Sequence, residues 1–158
     1  MKAAPWQEGA MQDIRILLVD DEEEFVRALS ERLQLRDLSS RTAFSGDQAM
    51  RVVGEAAPDI MVLDLKMPGT SGMEVLRLVK HRYPEVQVIV LTGHGNDLDE
   101  AEARSIGIFD WLRKPVDIEV LVGRIRAAYQ ESRRGAALQA VTFAEAGEHE
   151  TAKRLVDR

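Results

Sequence analysis

Short apolar runs alternate along this chain with segments of helical periodicity, and this alternation constrains the fold more than any other feature. Three runs are rich in leucine and β-branched residues, as strands buried on both faces are; they are 14–19, 59–64 and 86–92. A shorter run at 109–112 and a more polar run at 40–45 complete the set. The polar run is typical of an edge strand. The sequence therefore predicts five strands.

Apolar residues at three- and four-residue spacing predict amphipathic helices between these strands. Four such patterns are clear; they begin at Phe25, Ala49, Met73 and Ile118. Strands that alternate with helices indicate five β/α units, which form a parallel sheet with right-handed crossovers and helices on both faces. We predict an α/β domain over residues 14–130, preceded by a flexible leader at 1–13. A helical tail or linker follows at 131–158.

Composition excludes several functional classes. The 158 residues include 21 Lys and Arg against 27 Asp and Glu, and this net charge of −6 argues against a bare nucleic-acid-binding protein. Cysteine is absent, so disulfides, thiolate metal sites and cysteine nucleophiles are excluded. No apolar run approaches the roughly 20 residues of a membrane span, and no signal peptide opens the sequence. We therefore expect a cytoplasmic protein with no membrane partner.

Residues able to carry chemistry stand at the carboxyl ends of the predicted strands. Asp20 and Asp21 follow the first strand, Asp64 ends the third, Thr92 ends the fourth, and Lys114 follows the fifth. Because ligands bind beyond the carboxyl ends of parallel strands, we expect all five at one rim. Three clustered carboxylates repel one another, which either a bound hard cation or a raised pKa on one of them would relieve; Mg²⁺ is the simpler answer. A lysine and a hydroxyl beside them would hold a phosphoryl group, with Asp64 as the candidate nucleophile.

Four separated motifs resemble those of the response-regulator receiver domain (CheY-like) of two-component signalling. They are Val19-Asp20-Asp21-Glu22, Asp64-Leu65-Lys66-Met67-Pro68-Gly69 with Gly72, Leu91-Thr92-Gly93, and Lys114-Pro115. The resemblance covers about Ile14 to Gln130. It implies a flavodoxin-like doubly wound (βα)5 fold with a five-stranded parallel sheet in the order 2-1-3-4-5.

The resemblance also implies a phosphorylation site. Asp64 would accept a phosphoryl group from a phosphohistidine of a sensor histidine kinase or a histidine phosphotransfer protein. Asp20, Asp21, Asp64 and the backbone carbonyl of Lys66 would hold Mg²⁺, with Asp21 as a direct ligand and Asp20 acting partly through water. The domain would then catalyse only its own phosphorylation and dephosphorylation, and would not be an enzyme in the usual sense.

A conformational switch is implied as well. Thr92 and Lys114 would contact the phosphoryl oxygens, and Trp111 occupies the place of an aromatic that rotates inward when the threonine moves. Gly93 would leave access for the donor, and the bond from Lys114 to Pro115 would be cis. The face formed by the fourth helix, the fifth strand and the fifth helix would change shape for a downstream protein.

Three alternatives remain open at this point. A phosphorylation-independent module would keep the fold, although such domains usually lose an acid or the lysine, and none is missing here. An aspartate-nucleophile phosphatase of the haloacid-dehalogenase type needs a second acid two residues after Asp64, where this chain has Lys66. The chain could also be the receiver of a longer transcriptional regulator; we favour a stand-alone receiver.

Lys66 and His94 either tune phosphoryl lifetime or face solvent.

The tail is expected to contain further helix. We predict that the last helix of the domain runs to Arg133 or Arg134 and stops at Gly135. Two short helical segments, 136–146 and 148–156, would follow. Pairing of two chains through apolar tail residues is a further expectation, based on Leu138, Val141, Leu155 and Val156.

Overall fold

A computed structural model describes residues 13–145 of the chain, with side chains as far as residue 136. Nearly all of the predicted leader at 1–13 and the predicted segment at 148–156 lie outside the described residues. The expected pairing of chains falls on side chains that also lie outside them.

Five parallel strands form one sheet in the order β2-β1-β3-β4-β5, as predicted. The strands are β1 Ile16–Val19, β2 Ser40–Ala43, β3 Ile60–Leu63, β4 Gln87–Thr92 and β5 Asp110–Arg113. The helices that connect and follow them are α1 Glu23–Gln34, α2 Gly46–Glu55, α3 Gly72–Arg82, α4 Asp97–Ile106 and α5 Ile118–Glu145. The predicted strand bounds are correct to within two residues. The polar strand β2 lies at an edge, as expected.

Apolar side chains of the sheet are buried on both faces, because successive residues of a strand point to opposite sides. Leu17 and Val19 of β1 belong to one core cluster, whose helical residues come from α2, α3 and α4. Ile16 and Leu18 belong to the other, which α1 and α5 cover. The uninterrupted apolarity of the strand sequences follows from this double coverage.

Periodicity did not mark α4, although the count of β/α units requires a helix there. Its one buried residue is Ala103, and Leu98 is 81% exposed, so its apolar stripe is too narrow to produce a pattern. A capping box begins the helix instead: the Asn96 side chain accepts from the Asp99 backbone N–H, and the Asp99 side chain accepts from that of Asn96.

The prediction that the last helix stops at Gly135 is wrong. α5 continues through Gly135 to Glu145 and also includes most of the predicted segment 136–146. A helical glycine costs only about 1 kcal/mol relative to alanine, and the alanines that follow favour continuation. Although α5 has 28 residues, none of the described helices is apolar enough over sufficient length to cross a membrane.

Candidate functional site

The register of the sheet brings the strand-end residues together. β1 and β3 pair Val19 with Leu63, so that Asp20 and Asp64 leave the sheet side by side. The backbone N–H of Asp64 donates to the carbonyl of Val19 at 2.9 Å. At the other side of the rim, the N–H of Lys114 donates to the carbonyl of Thr92 at 3.1 Å. The parallel ladder alone therefore places residues far apart in sequence at one edge.

Three carboxylates meet at this edge. One oxygen each from Asp20, Asp21 and Asp64 lies within 4.8 Å of the others. Asp20 and Asp64 are buried, whereas Asp21 is exposed and opens the cluster to solvent. Carboxylate oxygens this close together are ligands that a hard divalent cation can bind, and the exposed Asp21 leaves the group accessible from solvent.

The Lys114 ammonium is the positive charge within this cluster. Its Nζ lies 2.6 Å from Asp20 Oδ2, 3.1 Å from Glu22 Oε1 and 3.6 Å from Asp64 Oδ2, and its side chain is 14% exposed. Burial on its own would lower the pKa of Lys114, but the hydrogen bonds to Asp20 and Glu22 and the negative charges of Asp20 and Asp64 together outweigh it and raise the pKa above 10.5. Lys114 therefore carries its charge at neutral pH. The peptide bond from Lys114 to Pro115 is cis, as the resemblance implied.

Asp20 remains incompletely compensated despite this ion pair. Burial raises its pKa above 3.8, and the hydrogen bond from Lys114 only partly opposes that effect. The neighbouring charge of Asp64 acts in the same direction as burial. One ammonium therefore does not balance the acids of this rim, and a second cation would relieve the remaining repulsion.

Two loop residues approach the Asp64 carboxylate and the end of β4 through their backbones. The N–H of Lys66 donates to Asp64 Oδ1 at 3.2 Å, while its ammonium lies 3.5 Å from Asp99 Oδ2 of α4. The N–H of His94 donates to Thr92 Oγ1 at 3.4 Å, and Thr92 is fully buried. A carbonyl ligand from Lys66 and a role for His94 stay predictions.

Trp111 is buried beneath the loop that follows β4. Its side chain lies against Gly95, where an added Cβ would be 2.3 Å from the ring carbon Cζ2. The indole Nε1 is buried with no hydrogen-bond partner among the described residues. Arg113 holds the same loop, donating from Nη1 to the Gly95 carbonyl at 2.9 Å. By contrast, a Cβ added at Gly93 would lie no closer than 3.8 Å to its nearest neighbour, the side chain of Lys114.

Three residues of the site had no role assigned from the sequence. Glu22 accepts from Lys114, and its position in the acidic motif was the available signal. Gly72 packs behind the acceptor so closely that an added Cβ would overlap the backbone of Asp64. Phe25 was assigned to the core face of α1, yet its ring contacts the Lys114 ammonium. No local pattern indicates that last contact.

Comparison with known proteins identifies a consistent set of relatives. A family model for the response regulator receiver domain matches residues 16–126. An uncharacterized transcriptional regulatory protein of Bacillus subtilis, YkoG, is 34% identical over 122 residues, covering 77% of this chain and 54% of that protein. The DNA-binding transcriptional regulator NtrC of Klebsiella pneumoniae is 37% identical over 118 residues, covering 72% and 25%.

A solved structure supports the same relationship. A response regulator receiver domain protein from Clostridium thermocellum is 36% identical, with a TM-score of 0.70, over 75% of this chain and 96% of that one. The chain spans about half the length of the Bacillus relative and about a quarter of the Klebsiella one.

Proposed function

The chain belongs to the response-regulator receiver domain family, and on that premise we propose that it accepts a phosphoryl group on the carboxylate of Asp64. The observation that carries the proposal is the Lys114 ammonium 3.6 Å from Asp64 Oδ2. Oxygens of Asp20 and Asp21 lie within 4.8 Å of the same carboxylate. This set offers a nucleophile, a fixed positive charge and cation ligands within one rim.

The transfer is a displacement at phosphorus. A carboxylate oxygen of Asp64 forms a bond to phosphorus while the bond from phosphorus to the donor nitrogen breaks, and that nitrogen keeps the electron pair. Lys114 stabilises the negative charge of the transferred oxygens, and the Thr92 hydroxyl donates a hydrogen bond to them. The proposed chemistry is limited to the domain's own phosphorylation and dephosphorylation.

Mg²⁺ fits the donor set of this site. Asp20, Asp21 and Asp64 offer oxygen atoms only, and their three charges exceed the single charge of Lys114. The proposed ligands are these three carboxylates and the backbone carbonyl of Lys66. When bound, the ion supplies neutralisation of the charge on the phosphoryl oxygens.

The phosphoryl donor proposed is a phosphohistidine of a sensor histidine kinase or a histidine phosphotransfer protein. Output would pass through the face formed by α4, β5 and α5 to a downstream protein. Thr92, which ends β4, and Trp111, which belongs to β5, would carry the change from the acceptor rim to that face. We also propose that residues 14–130 form the receiver and that residues 131–158 form a tail or linker. A cytoplasmic location and pairing of two chains belong to the same proposal. Direct binding of nucleic acid by this chain is not part of it.

Intact-mass spectrometry tests the proposal directly. The wild-type protein is incubated with acetyl phosphate or phosphoramidate, with and without Mg²⁺, beside the Asp64→Asn variant. We expect a gain of one phosphoryl mass in the wild type with Mg²⁺ and none in the variant, because an amide oxygen is a far weaker nucleophile. Absence of the adduct in the wild type would favour the phosphorylation-independent module. Steady hydrolysis of a free phosphomonoester would favour the phosphatase.

A further inference from the structure

The ring of Phe25 lies beneath the lysine of the acceptor site. Lys114 Nζ is 4.4 Å from the ring centroid, well inside the range of a cation–π contact. Phe25 belongs to α1, and it also packs against the buried cluster that α1 and α5 cover. The ring thus joins the apolar core to the charged rim.

The hydrogen-bond and ion-pair partners of the ammonium within the described part of the chain are acids. Asp20 and Glu22 accept hydrogen bonds at 2.6 and 3.1 Å, whereas Asp64 lies at 3.6 Å, beyond hydrogen-bonding distance. Glu22 is largely exposed and attracts the lysine toward solvent. The ring face is the uncharged surface on which the ammonium rests, and it replaces water that would otherwise hydrate the charge.

We propose that Phe25 is a positioning residue for phosphoryl transfer, holding the Lys114 ammonium beside Asp64 through its ring face. The inference rests on the function proposed above for Asp64. A lysine side chain has a flexible four-carbon stem, so a partner on its buried side restricts the positions that its charge samples. Phe25 acts through Lys114, because a phenyl ring has no group that could accept or donate the phosphoryl.

Two further cation–π pairs in the described part of the chain differ from this one. Arg124 lies 4.8 Å from the Phe109 ring and Arg27 lies 5.4 Å from the Phe44 ring. The Arg124 side chain is 39% exposed, against 14% for Lys114. A desolvated pair is stronger than an exposed one. Phe109 precedes the amino end of β5, whereas Asp64 follows the carboxyl end of β3, so the two residues lie at opposite ends of the strands. Phe109→Leu therefore serves as the matched control.

The test varies the charge distribution of the ring without changing its shape. Phenylalanines with one, two or three ring fluorines are incorporated at position 25 of the full chain, and phosphorylation by acetyl phosphate with Mg²⁺ is timed by intact mass. We expect the rate to fall with each fluorine, and Phe25→Leu to be roughly two- to thirtyfold slower than the wild type. Phe109→Leu should react at the wild-type rate. Equal rates across the fluorinated series would overturn the proposal.

A second readout does not depend on phosphorylation. Protons on Cε of Lys114 should resonate upfield in the wild type because of the Phe25 ring current, and Phe25→Leu should abolish that displacement. Ordinary lysine shifts in the wild type would overturn the proposal even if the rates vary. If the wild type forms no phosphoryl adduct, the function proposed for Asp64 fails, and the ring-current shift still decides whether Phe25 holds Lys114.

Discussion

Substitution of Gly95 by alanine should expel the Trp111 indole from beneath the loop after β4. An added Cβ would lie 2.3 Å from Cζ2 and 2.5 Å from Cη2 of the ring, whereas carbon atoms in contact prefer about 3.5–4.0 Å. The ring or the loop must therefore move by more than about 1 Å. Arg113 holds the loop through the Gly95 carbonyl, so the ring is the part expected to move.

Two opposing terms set the magnitude of the effect. A tryptophan buries about 150–250 Å², so exposure of half the ring of Trp111 costs about 2–3 kcal/mol at about 25 cal/mol per Å². The indole N–H has no partner in the described structure, so its hydration on exposure is favourable by about 1–3 kcal/mol. The free energy of unfolding should therefore fall by only about 1 kcal/mol, and the domain should stay folded while the ring changes its environment.

Tryptophan fluorescence measures this change directly. The assay uses a Trp6→Phe background, so that Trp111 is the one tryptophan that emits. Emission of Gly95→Ala should shift to longer wavelength and become more sensitive to an aqueous quencher. Gly93→Ala is the matched control, because its added Cβ would have no neighbour closer than 3.8 Å. Denaturant titration of each variant gives the free energy of unfolding.

Unchanged emission in Gly95→Ala would refute this reasoning, because the loop rather than the ring would then have yielded. A red shift of equal size in Gly93→Ala would refute it equally, since the effect would then belong to the loop as a whole. A red shift confined to Gly95→Ala would show that the indole of Trp111 fills the space that a side chain at position 95 would need.

Three further results are expected. Gly72→Ala should lower the free energy of unfolding by about 1–3 kcal/mol and slow phosphorylation, because its Cβ would overlap the backbone of Asp64. Gly54→Ala is the control and should not destabilise the protein, because its added Cβ would have no neighbour within 4 Å. Burial raises the pKa of Asp59 above 3.8, so ionisation of this carboxyl lowers the stability of the folded protein as pH rises through the folded-state pKa. The melting temperature of Asp59→Asn should therefore rise relative to that of the wild type between about pH 3 and pH 7. A difference in melting temperature that stays constant over this range would contradict the prediction. Mg²⁺ should raise the unfolding temperature of the wild type, and Asp21→Asn should lose most of that increase, as calorimetry can measure.

Local pattern predicted the elements well where burial is extensive and poorly where it is slight. The strands β1, β3 and β4 are covered on both faces, so their sequences are apolar throughout. The helix α4 buries only Ala103, and its existence followed from the requirement for a connection between parallel strands. Gly135 shows the opposite error, because a residue that often ends helices is tolerated inside one when its neighbours favour helix.

The sequence by itself determined the strand order, through the resemblance of its motifs, and the acids, lysine and threonine at the strand ends. The common location of those side chains follows from the parallel arrangement, because every parallel strand delivers its last residue to the same end of the sheet. The tertiary structure decided which side chains touch across that edge: Phe25 under Lys114, Trp111 under Gly95 and Gly72 behind Asp64. Such contacts depend on how the helices and loops pack over the sheet, and distances of a few ångströms between remote segments leave no periodic trace in the chain.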